Sequence, residues 1–296
     1  MNRTPLLLAA LLAAPLAVDA QVVQTREHAV RIATVTEGLD RPWGLAFLPD
    51  GRMLVSERPG RLRVVGRDGR LDPVPVAGLP RIDAQGQGGL LDIALHPKYR
   101  DNGWIYWSYA QRDAAGDNGT EVARGRLGGG PGAWRMDNVE VIFRMAPKSS
   151  GGLHFGSRLV FDREGLLYVT LGDRGEMARA QKLDDHAGKI LRLTDDGRPA
   201  PGNPFLGDPK ARPEIFALGN RNVQGAALSP STGVLWAHEH GPQGGDELNV
   251  IKAGFNYGWP VITYGVNYVT GTKIGEGTGK PGMAQPVKYW VPSPAL

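Results

Sequence analysis

The chain of 296 residues contains no cysteine. Disulfides, thiolate nucleophiles and cysteine-held zinc or iron–sulfur centres are excluded together, and any metal has to be held by oxygen or imidazole. Charge of one sign is also scarce: 34 Lys and Arg stand against 30 Asp and Glu, a net +4 with no run of five or six like charges. That spread argues against a dedicated nucleic-acid surface. After residue 20 no apolar run approaches the roughly 18 residues of a membrane span. The catalytic signatures H-E-x-x-H and G-x-S-x-G are missing, and no amphipathic helical stripe of three turns stands out. What is abundant is glycine and proline, 42 and 23 residues, too many chain-breakers for a helix bundle. Hydrophobic content of 41% and seven Trp exclude simple disorder.

The first twenty residues read as an export signal. Arg3 precedes an apolar run from Pro5 to Val18, and Val18-Asp19-Ala20 forms an A-x-A-like site. Cleavage is expected after Ala20, leaving residues 21–296 as a periplasmic or secreted chain without a membrane span. Removal takes away one Arg and one Asp, so the net charge is unchanged.

The body of the chain repeats one grammar, an apolar strand, a polar turn ending in Gly and a second alternating strand. It appears in Gly44–Ser56, Leu91–Ser108, Ser157–Thr170 and Gly225–Ala237. The turn glycines Gly51, Gly103, Gly165 and Gly233 are spaced 52, 62 and 68 apart, which suits four-stranded propeller blades with long loops better than a sandwich. A fifth repeat is expected to begin at Gln285–Trp290. At roughly 60 residues per blade a six-bladed ring takes about 360 residues. The expectation is therefore an all-β, six-bladed propeller spanning 21–296 and lacking most of its last blades.

Candidate site residues lie in the loops. His154, in Ser149-Ser-Gly-Gly-Leu-His154, follows small residues that let a ligand approach the backbone, and a loop His can serve as a general base near neutral pH or simply be structural. His238 and His240 flank Glu239 at strand spacing, so both imidazoles can share a face as a metal pair. Arg221 and Asn222 lie between glycines just before a strand, placed to bind an anionic or carbonyl-rich ligand. In His240-Gly241-Pro242 through Asp246-Glu247, a bend exposes backbone carbonyls and adjacent carboxylates follow, an oxygen-rich set that suits Ca²⁺ or forms an ordinary acidic turn. Gln85-Gly-Gln87-Gly-Gly is not a phosphate loop, since no Lys-Ser/Thr follows it.

Seven ordered motifs resemble one family. They are Arg41-Pro-Trp-Gly-Leu-Ala-Phe-Leu-Pro-Asp-Gly51, Gly86–Pro97, Gly152–Arg158, His186–Arg192, Gly219–Gly225, His240-Gly-Pro242 with Asp246–Asn249, and Asn256-Tyr-Gly-Trp-Pro260. From about Leu39 to Leu296 the chain is similar to the soluble quinoprotein glucose dehydrogenases and aldose sugar dehydrogenases, six-bladed propellers that bind pyrroloquinoline quinone (PQQ) with Ca²⁺. The resemblance implies oxidation of the anomeric C1 hydroxyl of an aldose to a lactone, with hydride transfer to PQQ and electrons passed to an external acceptor. It implies His154 as general base, Arg221 and Asn222 as quinone contacts, and Gln87 as a polar group lining the PQQ and sugar site. It further implies the carbonyls of Gly241 and Pro242 as ligands of the Ca²⁺ beside PQQ. A second Ca²⁺ site would use Asp246, Glu247 and the carbonyl of Tyr257, with Trp290 beside the sugar. Where the soluble glucose enzymes carry an Asp before the base His, this chain has Leu153, which removes a carboxylate. The family's further PQQ-binding Lys and Arg lie beyond Leu296, so a longer parent chain is expected; pairing into a homodimer is left open. The rival readings are a Ca²⁺-dependent propeller lactonase or esterase and a non-catalytic sugar- or protein-binding propeller.

Overall fold

The structure, a computed structural model, describes residues 21–294, so the expected signal peptide, Met1–Ala20, lies outside the described residues. Strands β1 (Gln21–Gln24) and β2 (Ala29–Ile32) pair as a hairpin within a unit that ends at Gly38; a second compact unit begins at Leu39.

The second unit is an all-β propeller of four blades in chain order. Blade one holds β3 (Pro42–Phe47), β4 (Met53–Glu57) and β5 (Arg61–Val65). Blade two holds β6 (Leu90–Leu95), β7 (Trp104–Arg112), β8 (Asn118–Gly128) and β9 (Arg135–Arg144). Blade three holds β10 (Leu159–Phe161), β11 (Leu167–Thr170), β12 (Lys189–Leu193) and β13 (Ile215–Leu218). Blade four holds β14 (Val223–Leu228), β15 (Leu235–Glu239), β16 (Asp246–Ile251) and β17 (Lys288–Trp290). All neighbours within a blade are antiparallel. Among the described residues the only helical pieces are α1 (Tyr99–Asn102) and a 3₁₀ turn at Met177–Gln181. The four repeats seen in the sequence are the first hairpins of the four blades. Their turn glycines all take left-handed φ, between 67° and 89°, a conformation that costs glycine nothing.

One expectation is corrected here. Lys288–Trp290 does not open a fifth repeat: it pairs with β16, Leu248 opposite Lys288 and Asp246 opposite Trp290, and closes blade four. The long loop after Ile251 separates the two in sequence, so the strand looked like a new beginning.

The blades stack because their middle strands are apolar on both faces. Ile105 and Trp107 of β7 pack with Leu54, Leu62 and Val64 of blade one. The intervening Tyr106 packs toward blade three with Val122, Leu167, Val169 and Leu191. In turn Tyr168 and Ile190 face Val223, Leu235 and Ala237 of blade four. Side chains alternate with period two, so a strand buried on both sides must read as a nearly unbroken apolar run.

A second device recurs at the inner ends of the blades. In the first three blades a hydroxyl on the second strand accepts a backbone N–H from, or just before, its own first strand and donates to the next blade. Ser56 Oγ accepts the Gly44 N–H at 2.8 Å and donates to Leu91 O. Ser108 Oγ accepts the Asp92 N–H at 2.9 Å and donates to Ser157 O at 2.7 Å. Thr170 Oγ1 accepts the Arg158 N–H at 2.9 Å and donates to Val223 O at 3.2 Å. His238 holds the corresponding place in blade four, opposite Gly225. Ser108→Ala leaves two buried backbone groups without a partner and should cost about 2 kcal/mol. That loss should appear as a lower urea midpoint at constant m-value; an unchanged midpoint would remove the staple from the account.

Candidate active site

The connection between β9 and β10 carries His154 in left-handed backbone, φ 51°, with Gly156 at 62° and Ser157 at 94°. Non-glycine residues hold that conformation only where the surroundings impose it. Here they do: the His154 N–H donates to Gln87 Oε1 and the Gln87 N–H donates to Gly152 O, both at 2.8 Å. The imidazole is buried, and its Nδ1 lies 2.6 Å from Asp173 Oδ1. Asp173, fully buried in the loop after β11, also accepts from Trp259 Nε1 at 2.7 Å and from the Gly175 N–H at 2.8 Å. Burial pushes its carboxyl up, but the His154 hydrogen bond and charge, with the Gly175 and Trp259 donors, outweigh this and hold it below the ordinary range. An ionised carboxylate only accepts, so in the neutral imidazole Nδ1 carries the proton and Nε2 keeps the lone pair. The carboxylate that Leu153 lacks is thus supplied from 19 residues along the chain.

Arg221 and Asn222 bridge β13 and β14. The Arg221 carbonyl accepts the Asp173 N–H at 2.8 Å, and its guanidinium donates to His240 O at 3.0 Å, lying 5.5 Å from the Trp259 ring centre and 5.9 Å from that of Tyr268. Gln87, His154, Asp173, Arg221, Pro242, Trp259 and Tyr268 line one cavity of about 410 Å³. Gln87 also lines a polar cavity of about 140 Å³ in the channel, shared with Arg58, Asn222 and His240. Asn222 Oδ1 accepts from the Gly156 N–H at 3.1 Å, so it buttresses the His154 loop as well. The structure brings Gln87, His154, Arg221 and Pro242 together around the larger cavity. Trp290 sits on the outermost strand of blade four, opposite Asp246, away from the residues that line these two cavities. Trp259 and Tyr268 are the aromatics there.

Beside the main cavity Glu239 of β15 stands opposite Glu247 of β16. With Gly241 and Tyr257 they line a space of about 10 Å³, room for one ion or water. Burial first, then the neighbouring Glu239, pushes Glu247 up to about 8; burial raises Glu239 too. The Oδ1 atoms of Asn220 and Asn249, whose amides donate to these two carboxylates, are buried with no hydrogen-bond partner. Two repelling carboxylates beside two orphaned oxygens fit an oxygen-ligated cation. Asp246 is not among them: consecutive strand residues face opposite sides, and its Oδ1 accepts from the Gly241 N–H at 2.9 Å and Ser293 Oγ at 2.8 Å. Glu239, rather than Asp246, faces Glu247 across the two strands. His238 and His240 line different cavities and form no metal pair.

Three residues escaped the sequence reading. Asp173 stood in an unremarked Leu171-Gly-Asp-Arg-Gly175 turn right after a strand, the one signal available. Trp259 lay inside a motif read only for its neighbours, and Tyr268 in a stretch without periodicity.

A four-bladed propeller whose loops bring a His–Asp pair and an Arg to one cavity has the layout of a loop-borne candidate active site. Residues 39–296 match the family described as Glucose / Sorbosone dehydrogenase, and the chain belongs to that family. It is 43% identical over 290 residues to the aldose sugar dehydrogenase YliI of Escherichia coli (strain K12), covering 97% of this chain and 74% of that protein. The crystal structure of the apo-form of the soluble aldose sugar dehydrogenase from Escherichia coli superposes with a TM-score of 0.84 at 42% identity, covering 94% of this chain and 76% of that one. The PQQ-bound form of aldose sugar dehydrogenase from Streptomyces coelicolor gives 0.71 at 34%, covering 94% and 73%.

Because Asp173 is held below its unfolded value, its contribution to stability is fully present above about pH 4 and lost as pH falls through the folded value. The stability gap between wild type and Asp173→Asn should be largest at neutral pH and close in acid, measured by urea unfolding from pH 3 to 7. A gap independent of pH would show that the carboxylate charge is not what matters.

Proposed function

We propose that this chain is a PQQ- and Ca²⁺-dependent aldose dehydrogenase that oxidises the C1 hydroxyl of an aldose to the lactone and passes electrons to an external acceptor. The observation that carries the reading is the His154–Asp173 pair opening on the same cavity as Arg221. His154 Nε2 is the base that takes the proton of the anomeric hydroxyl, and Asp173 orients the ring and stabilises the imidazolium that results. Arg221, Gln87 and Asn222 would hold the cofactor, with the Arg221 guanidinium set against negative charge in the cavity. Bound there, PQQ would supply the two-electron acceptor for the C1 hydride, which no side chain provides. One Ca²⁺ is assigned to the carbonyls of Gly241 and Pro242. A second is assigned to Glu247 and Tyr257, with Glu239 rather than Asp246 as the other carboxylate. In this reading the four blades belong to a ring of six, and the protein works outside the cytoplasm. The identity to a named aldose sugar dehydrogenase and the fold shared with a PQQ-bound one support it.

The test adds PQQ and Ca²⁺ to the purified protein and follows cofactor binding, then dye reduction with glucose and other aldoses. His154→Ala should lower turnover on the order of 10²–10⁴-fold with PQQ binding intact; unchanged turnover would take His154 out of the chemistry. Replacing Arg221 by Ala should weaken both PQQ binding and rate. Failure of the wild-type chain to bind PQQ would overturn the cofactor assignment. Separately, Ca²⁺ should raise the melting temperature of the wild type by more than that of Glu247→Gln, which keeps only the Gly241–Pro242 site, and an equal rise in both would overturn the second site.

A further inference from the structure

The turn that presents Asp173 to His154 carries a second charge directed at the same loop. Arg174, in left-handed backbone at φ 64°, is 2% exposed. Among the described residues it forms no ion pair, although Arg179, close by in sequence, has two carboxylate partners. Its guanidinium donates instead to the carbonyls of Leu153 and Gly151, the latter at 2.5 Å, and to Asn118 Oδ1. It also stacks over the Phe155 ring with 3.6 Å to the centroid. A charge taken out of water without a direct ion pair is expensive, and burial together with the nearby Arg179 outweighs the attraction of Asp173, Glu176 and Asp83 and lowers its pKa to about 10.

The two carbonyls lie in the three residues just before His154. The carbonyls of 151 and 153 are held by Arg174, the carbonyl of 152 between them is held by the Gln87 N–H, and the His154 N–H is held by Gln87 Oε1. Successive peptides are thus gripped alternately from two sides, and Phe155 on the far side of His154 lies under the guanidinium plane. A planar fork with five donors can span two carbonyls and an amide while stacking on a ring; no other side chain does all of this. The strained backbone of His154 needs such over-determination.

We propose that Arg174 is a positioning residue for the general base, holding the 151–155 segment so that the His154 imidazole meets Asp173 and faces the cavity. The proposal rests on the reading of His154 as the base, but its geometric half can be tested without that reading. In protein labelled with ¹⁵N-histidine, the ring signals of His154, assigned by their loss in His154→Ala, report the Nδ1–H···Asp173 hydrogen bond with no cofactor present. Arg174→Gln should shift or broaden that signal. In the PQQ-loaded protein it should lower kcat by about 10- to 100-fold, the scale of an ångström-level misplacement, with KM and PQQ affinity within about threefold. Arg174→Lys, which keeps the charge but cannot span all three acceptors, should fall between Gln and wild type. A folded Gln variant with wild-type His154 signals and kcat would overturn the proposal. So would one in which PQQ affinity collapses while the His154 signals stay put, since that would make Arg174 a cofactor-site residue. Should the Gln variant not fold, the Lys variant decides by the same two readouts. If the wild type shows no turnover, the functional reading fails alone and the ring signals still judge Arg174.

Discussion

Four blades meet at one guanidinium. Arg158, at the start of blade three, pairs with Asp92 of blade two at 2.7 Å, donates to Gln224 O at the start of blade four at 3.1 Å, and stacks on Trp43 of blade one at 4.5 Å. The Asp92 carboxylate takes the Leu159 N–H with its other oxygen, at 2.8 Å. Burial pushes Asp92 up, so only the Arg158 charge and these donors make its ionised form tolerable. The innermost strands therefore converge on a polar knot rather than an apolar centre, and the hydroxyl staples around it repeat the same economy blade by blade. This hub ties the innermost strands of the four blades to one another, and the loops that carry the candidate site rise from those blades.

The candidate site is built on that spacing by spending burial on charge. His154 comes from the loop that enters blade three, Asp173 from the loop after that blade's second strand, and Arg221 from the crossing into blade four. The Asp173 N–H to Arg221 carbonyl bond ties the last two at 2.8 Å. None of these groups can relax into water, because Asp173 is fully enclosed and Arg221 is 7% exposed. A preorganised, partly dry set of dipoles is what charge development in a transition state rewards. The nearby Glu239–Glu247 pair has the opposite character: burial disfavours both charges, and the facing Glu239 adds to this at Glu247.

Much of this was legible in the residues. Period-two alternation, turn glycines at 51, 103, 165 and 233, and the repeated apolar–turn–apolar grammar are local properties, and they located the first hairpin of every blade. His154 and Arg221 stood out as candidates because each sits among small residues in a loop before a strand, whereas Gln87 was singled out only through the family resemblance. Asp173 was not, since nothing local distinguishes an Asp in a Gly-rich turn from a solvated one, and its partner lies 19 residues away. The surroundings of Trp290 and Asp246 were not legible for one reason. Their roles depend on which face of a blade they occupy, and that is set by cross-strand register: Glu239 opposite Glu247 and Asp246 opposite Trp290.

By itself, then, the sequence determined the class of fold, the absence of thiol chemistry, and the loops from which a site could be made, because backbone periodicity, turn conformation and composition act over a few residues. Only the tertiary structure decided that Lys288–Trp290 completes blade four, that Asp173 and Arg174 grip the His154 loop from one turn, and that Glu239 rather than Asp246 faces Glu247. Those outcomes depend on registers and contacts between segments far apart in the chain, for which no local pattern carries a signal.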